Sequence, residues 1–267
     1  MSFSSDTKQE LMRLPLGKNC CMLTELSALT QTSGSLSFRG RGRMRVTWRM
    51  ESAALARRLF LLLRGRLSVT PKIHFVQHNR LGGGRVSVLT VDDEDAQKLL
   101  LALNMMERDE EGNISLQRTA PRHSVTRQCC RKAFLRATFL GCGTMSTPEK
   151  GYHLEWVAGD EALKTNLMKM LEKAGLPVRC HERKGKQVVY VKGAQQVSDL
   201  LAMMGASGAM LQMENIRIQK QMRGEANRAT NCDEYNAMRT VNASEKQVED
   251  IKLISIHRGL HSLPPTL

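Results

Sequence analysis

Three groups of side chains in this 267-residue chain have the types and spacing to do chemistry. The first is thiol, in the adjacent pairs Cys20-Cys21 and Cys129-Cys130. Thiolates bind zinc, but ligands supplied by one segment stand two to four residues apart. Neighbours on a helix diverge by about 100°, so one thiol of each pair is expected to face the core. The pairs are read as buried thiols. No metal site and no cofactor is expected. The second group is imidazole. His74 and His78 would share a face only on a helix, and their segment reads as strand. Cys180-His181 has the types of a nucleophile and its base, yet neighbours on a strand face opposite sides.

The third group is cationic. Arg39, Arg41, Arg43 and Arg45 recur at period two, alternating with Gly40, Gly42 and Met44. If this stretch is extended, four guanidiniums line one side of a sheet. Lys72, His74, His78 and Arg80 share one strand parity. Arg179, His181 and Arg183 do likewise, with Lys184 and Lys186 in the following turn. Guanidiniums fit phosphate oxygens bidentately and position a nucleic acid without reading its bases. The competing reading is an ordinary solvated face, since Gly40 and Gly42 weaken a strand.

Composition favours the phosphate reading. The chain has 40 Lys and Arg against 26 Asp and Glu, a net charge of +14. That excess excludes an acidic solvating protein and makes a polyanion the first partner to consider. The longest apolar run, Leu59 to Leu63, is bounded by Arg58 and Arg64 and is far shorter than the ~20 residues of a membrane span. The first ten residues carry no apolar signal core. The 7 cysteines are odd in number and lack a disulfide-like framework, so a reducing, cytoplasmic setting is expected. Clustered methionines such as Met168, Met170, Met203, Met204 and Met210 suit an adaptable core.

The elements that must position these groups come twice. Cys20-Cys21, Leu26, Ala28 and Gly34 recur 109 residues later as Cys129-Cys130, Leu135, Ala137 and Gly143. The only two tryptophans, Trp48 and Trp156, stand 108 apart, as do Leu59 and Leu167. Two copies of a unit of about 100 residues follow. Each copy reads as a helix of small and apolar residues stopped by glycine (19–32, 128–141), a strand (43–50, 151–157) and an amphipathic helix (51–64, 160–174). Two strands (72–78 and 85–91; 178–183 and 187–192) and a closing helix (93–106, 194–204) complete it. The fold class is α+β, two αβαββα-type repeats with an α-helical C-terminal segment. The second copy's strand carries His153 and Glu155 where the first carries arginines, so any polyanion contact should be asymmetric.

Domain limits follow. Residues 1–110 hold an N-terminal helix and the first repeat, with Thr7 and Glu10 spaced as a capping box. Residues 111–126, polar and carrying Pro121, form a linker. Residues 127–222 hold the second repeat. Residues 223–267 are polar and helix-like, ending in Pro264-Pro265-Thr266-Leu267 as though a further element should follow.

The helices Leu26-Ser-Ala-Leu-Thr-Gln-Thr-Ser-Gly34 and Leu135-Arg-Ala-Thr-Phe-Leu-Gly-Cys-Gly143 resemble the paired motif helices of LAGLIDADG homing endonucleases. This resemblance implies that the two repeats stand around a pseudo-twofold axis. The wider pattern resembles the WhiA family of bacterial sporulation and cell-division regulators, in which a degenerate LAGLIDADG-like region precedes a helix-turn-helix. The matching stretches include Ser2-Phe-Ser-Ser5, Glu51-Ser-Ala-Ala-Leu-Ala-Arg57, Pro148 to Glu155, Glu182 to Lys186, Glu214-Asn-Ile-Arg217, Asn231-Cys232 and the Gly259 to Pro265 tail. They run across essentially the whole chain. On this resemblance, residues 223–267 are the start of a helix-turn-helix domain that this chain leaves truncated.

The resemblance implies a nucleoid-associated DNA-binding transcription regulator serving sporulation, cell division and chromosome segregation. Its partners are double-stranded DNA and other transcription regulators, with no small-molecule substrate. The motif's metal-holding acid positions are Ser33 and Cys142 here, so no enzyme is expected. Mg²⁺ takes hard oxygen ligands, and phosphodiester cleavage shares carboxylates between metals. An active endonuclease and a protein-interaction scaffold without DNA binding are the alternatives. The former needs central carboxylates. Steep salt dependence of DNA binding separates the regulator from the latter.

Overall fold

The computed structural model describes residues 2–40, 43–77, 85–108, 114–116, 126–259 and 261. Contacts divide the chain into two units, Met1–Glu214 and Asn215–Leu267.

The first unit holds both repeats. After α1 (Phe3–Arg13), the first runs α2 (Asn19–Ser33), β1 (Gly34–Phe38), β2 (Met44–Met50), α3 (Ala53–Leu67), β3 (Lys72–Gln77), β4 (Arg85–Asp92) and α4 (Asp93–Ala102). A short hairpin of β5 (Met106–Arg108) and β6 (Ile114–Leu116) follows, joining the end of the first repeat to the stretch expected to be linker. The second repeat runs α5 (Gln128–Cys142), β7 (Gly143–Met145), β8 (His153–Ala158), α6 (Glu161–Lys173), β9 (Arg179–Arg183), β10 (Lys186–Lys192) and α7 (Ala194–Met204). Each repeat folds a four-stranded antiparallel sheet, ordered β1-β2-β4-β3 and β7-β8-β10-β9. Each unit therefore has one more strand than the sequence reading gave it.

That strand arises where the glycines were expected only to stop a helix. Gly34 and Gly143 have extended backbones and open β1 and β7. Space requires glycine there. A Cβ on Gly34 would lie 2.4 Å from the Thr30 carbonyl oxygen, and one on Gly143 would lie 2.4 Å from the Phe139 ring. Gly34 pairs with Trp48 and Gly143 with Trp156, so both tryptophans keep the same register and are fully buried.

The expected helix faces are the core faces. Leu55, Leu59, Leu62 and Leu63 of α3 are buried, as are Leu163, Leu167, Met170 and Leu171 of α6. Ser52 and Asp160 cap these helices, accepting from the amides of Leu55 at 3.3 Å and Leu163 at 2.8 Å. The centre of the unit is the α2–α5 pair. Its small residues allow close approach, to the point that a Cβ on Gly141 would fall 2.1 Å from Thr32 Oγ1.

Thr7 and Glu10 form no capping box. Ser2 caps α1, and Thr7 bonds back to the Phe3 carbonyl at 2.8 Å. Glu10 instead accepts from the amides of Gly208 (2.7 Å) and Ala209 (2.9 Å), capping α8 (Ser207–His257). The position expected to end the second repeat, residue 222, lies inside this 51-residue helix. In the second unit the helix is solvent-exposed almost throughout and carries Tyr235, Met238, Val241, Val248 and Ile251. Among the described residues, no helix is long and apolar enough to cross a membrane.

Candidate nucleic-acid interface

Strand register sorts each sheet into two faces. Met44, Val46, Trp48 and Met50 of β2 point into the core, while Arg45, Thr47 and Arg49 point outward. Across the ladder Arg45 pairs with Asp92, Arg49 with Val88, His74 with Val88 and Lys72 with Thr90. The outer face of the first sheet thus collects Arg45, Arg49, Lys72, His74 and Asp92. By the same rule, Arg179, His181, Arg183, Lys186, Tyr190, Lys192, His153 and Glu155 share the outer face of the second. Of the parity groups read from sequence, Lys72 and His74 share a face on β3, and Arg179, His181 and Arg183 share one on β9.

The arginine stripe is different. Of its described members, Arg39, Arg43 and Arg45, only Arg45 lies on a strand. Arg39 and Arg43 stand at the mouth of the β1–β2 hairpin, where the Arg39 amide donates to the Arg43 carbonyl at 2.9 Å and the Arg43 amide to that of Gly40 at 3.0 Å. Gly40 supplies the left-handed turn at φ +79°. The described part of the stripe is therefore the mouth of a hairpin, with Arg39 and Arg43 exposed, and Gly40, expected to weaken a strand, supplies its turn. Arg41 and Arg80, together with His78, lie outside the described residues. Lys184, with φ 52°, and Gly185 form the β9–β10 turn, and Lys184 and Lys186 are exposed.

Each outer face also carries an acid: Asp92, which sequence reasoning passed over, and Glu155, which it noted only as standing where the first copy has arginines. Asp92 takes hydrogen bonds from Arg45 Nε and, at 3.1 Å, from Lys72 Nζ. The Arg45 hydrogen bond outweighs the burial that works against ionisation, and with Lys72 it holds Asp92 down at about 2. In the second sheet, Arg183 grips Glu155 with two nitrogens at 2.7 and 3.3 Å, and His153 Nε2 lies 3.1 Å from the same carboxylate. Burial raises the Glu155 pKa, but the bonds from Arg183 and His153 prevail and lower it. Arg45, Lys72 and Arg183 are thus already engaged. Tyr190 stacks between His153 and His181, with ring centroids at 5.3 and 5.2 Å. Arg49 and Lys192 are exposed cations that the sequence reading missed, although Arg49 has the parity of Arg45.

The motif ends carry no carboxylate. Ser33 and Cys142 are the last residues of α2 and α5. Burial pushes the Cys142 thiol up to about 12 against the pull of Lys8. Glu25 of α2 is an acid of this helix pair, and it is fully buried and ion-paired to Arg58, out of reach of a substrate.

At the other end of the same helix pair, the two cysteine pairs converge. The Sγ atoms of Cys20, Cys21, Cys129 and Cys130 all lie within 4.8 Å of one another. Burial opposes ionisation of Cys20, yet hydrogen bonds from Cys130, Arg127, Cys21 and Cys129 bring it to about 7. Cys21 and Cys130 are pushed up to about 11 and about 12, chiefly by burial. Judging metal binding from spacing within one segment misses this meeting of residues 109 positions apart, and the repeat offset was the signal for it.

Family models match three stretches of the chain. They are the WhiA N-terminal LAGLIDADG-like domain at residues 19–106, the WhiA LAGLIDADG-like domain at 131–223 and the WhiA C-terminal HTH domain at 226–267. A probable cell division protein WhiA from Heliobacterium modesticaldum is 37% identical over 267 residues, which cover 100% of this chain and 83% of the relative. Its counterpart from Alkaliphilus metalliredigens is 35% identical over 268 residues, covering 100% and 84%. The crystal structure of full-length DUF199/WhiA from Thermotoga maritima superposes with a TM-score of 0.69 at 22% identity, over 99% of this chain and 83% of that one. Variants of the homing endonuclease I-DmoI reach 0.51 at 18% identity, over 71% and 98%. At these identities the two structures speak for the fold.

Proposed function

The chain belongs to the WhiA family, and from that premise we propose that it is a DNA-binding transcription regulator acting in cell division, sporulation and chromosome segregation. It works on chromosomal DNA in the cytoplasm, alongside other regulators, and cleaves nothing. The observation that carries this reading is the exposed cationic set on the outer sheet faces and their turns. Arg39, Arg43 and Arg49 belong to the first sheet, and Arg179, Lys184, Lys186 and Lys192 to the second. We assign these side chains, with Arg41, Arg45, Lys72, Arg80 and Arg183, to phosphate. Such contacts fix register on a duplex and supply sequence-independent affinity.

The division of labour follows the domains, which we set at 1–110 and 127–222 for the repeats and 223–267 for the helix-turn-helix segment. Bases are read in the major groove by the second helix of a complete module, so sequence preference is assigned to such a helix, the sheets supply grip, and residues 223–267, the start of the module, are expected to add little discrimination. A homing endonuclease of this fold, I-DmoI, has been solved in complex with its target DNA, which supports DNA as the partner. The absence of carboxylates at Ser33 and Cys142 supports a non-catalytic role, because a thiol and a hydroxyl give Mg²⁺ no charged oxygen.

Fluorescence anisotropy with a labelled duplex, repeated from low to high salt, tests the reading. Affinity that falls steeply with salt supports it. Undetectable binding at low salt, or binding indifferent to salt, overturns it in favour of a protein-interaction scaffold.

A further inference from the structure

The four converging thiols serve neither the sheets nor the DNA contacts assigned to them. Cys20 and Cys21 are the second and third residues of α2, and Cys129 and Cys130 are the second and third of α5. Both helices run in parallel from this end to the Thr32–Gly141 contact at the other. Within the pairs, the sulfurs stand 4.0 Å apart for Cys20–Cys21 and 3.9 Å for Cys129–Cys130, and no two of the four exceed 4.8 Å. Four sulfurs held at about 2.3 Å around one tetrahedral ion stand about 3.8 Å from each other. The cluster therefore needs movements of less than about 1 Å to close on a single ion. An iron–sulfur cluster spreads its cysteine sulfurs over several irons and needs them farther apart. A disulfide requires contact at about 2.05 Å.

We propose that Cys20, Cys21, Cys129 and Cys130 bind one Zn²⁺ ion in a four-thiolate site that clamps the N-terminal turns of the two central helices together. The electrostatics suit the ligand set. Four thiolates around Zn²⁺ leave a net charge of −2, and two helix N-termini meet it with their positive dipole ends. Neither helix places an acidic residue in its first turn, and neither has a side-chain cap to compete for the free amides. Arg127, which precedes α5, adds a positive charge near Cys20. Cys21 and Cys130 are buried and Ala133 packs beside them, so the inner half of the site is dry. Cys129 is exposed, giving the ion a way in.

The site is tested on the full chain, purified reduced and titrated anaerobically with Zn²⁺, with Co²⁺ as the optical probe. One ion per chain is expected, with the visible bands of tetrahedral thiolate-bound Co²⁺ and a rise in thermal midpoint on adding Zn²⁺. The Cys20→Ser/Cys129→Ser variant spares the two buried thiols, and its fold is checked by circular dichroism. It should lose the Co²⁺ bands and the rise in midpoint. Cys142→Ser/Cys180→Ser/Cys232→Ser should keep both. The proposal fails if the reduced protein takes up no stoichiometric metal, if its Co²⁺ spectrum is octahedral, or if the Cys20→Ser/Cys129→Ser variant binds as the parent does. It fails equally if reduction only releases disulfides and no metal follows. Should the serine variant not fold, free-thiol titration of the parent with and without Zn²⁺ decides. Protection of four thiols supports the site, and protection of none refutes it.

Discussion

Glu25 and Arg58 face each other in the interior of the first unit, with side chains 0% and 3% exposed, and join as a two-pronged ion pair. The second prong, Arg58 Nη2 to Glu25 Oε2, measures 3.1 Å. Arg58 Nη1 also donates to the Met12 carbonyl at 3.2 Å. Arg136 of the second repeat approaches Glu25 at 3.6 Å and donates to the Met204 carbonyl at 3.1 Å. One carboxylate thus ties α2 to α3 and to both α5 and the end of α7.

Removing that carboxylate leaves Arg58 buried without a counter-charge. Glu25→Ala should destabilise the first unit by about 3–5 kcal/mol, read as a lower urea midpoint. A Glu25→Leu/Arg58→Met double variant should recover much of the loss. A single-variant loss below about 1 kcal/mol would mean that the pair is solvated.

The helix seam makes a second, purely steric prediction. Gly141→Ala places a Cβ on Thr32, 2.1 Å from its hydroxyl and 2.7 Å from its Cβ, and should cost about 1–3 kcal/mol or more. Gly65 sits inside α3 with nothing within 4 Å of its would-be Cβ. Gly65→Ala should instead stabilise by about 0.4–1 kcal/mol. Equal effects from the two substitutions would contradict the seam geometry.

Asp92 gives a pH dependence. Its folded-state pKa of about 2 lies below the ordinary 3.8, so it adds stability that is present at neutral pH. That contribution is lost as pH falls from about 4 through about 2. The stability gap between parent and Asp92→Asn should be constant above pH 5 and shrink to nothing at the acid end, followed by denaturant melts across that range. A gap that grows on acidification has the wrong sign.

The same residue bears on DNA. Asp92→Asn releases Arg45 and Lys72, and Glu155→Gln releases Arg183. Each freed cation that reaches a phosphate should tighten binding on the order of tenfold at ~0.1 M salt and steepen the log–log salt slope by about 0.9. Arg39→Ala/Arg43→Ala should flatten that slope by about 2 while weakening all duplexes alike. Slopes unchanged in both folded variants would remove these faces from the interface.

For the motif ends, supercoiled plasmid incubated with the chain and Mg²⁺ or Mn²⁺ should stay supercoiled on an agarose gel. Metal-dependent nicking that is abolished by Ser33→Ala or Cys142→Ala would assign those positions to catalysis after all.

What the sequence made legible is what repeats or alternates locally. The offset of 109 located α2 and α5, the pairing of tryptophans located β2 and β8, and period-two spacing put Lys72 with His74 and Arg179 with Arg183 on outer faces. The strands β1 and β7 escaped because they are five and three residues long and open on glycines that also suit a helix end. The Arg39–Arg45 stripe misled because a hairpin tip and an extended strand share the same alternation until the turn is known. The ion pairs of Asp92 with Arg45 and Lys72, and of Glu155 with Arg183, escaped because these partners lie on neighbouring strands, 47 and 20 positions away for Asp92 and 28 away for Glu155. No local pattern records such a partner.

The clasp of Glu10 on the amides of Gly208 and Ala209 has a consequence for the order in which the molecule can be made. Its two halves stand 198 and 199 positions apart, and Ser4 similarly waits for the amide of Met145. During synthesis α1 emerges first, yet Gly208 and Ala209 leave the ribosome only after both repeats. A nascent chain that has completed only the first repeat would hold α2 with its seam uncovered and α1 with nothing to cap. Such long-range closure slows folding. The unit therefore locks in one late step, when the residues around 209 become free to reach back.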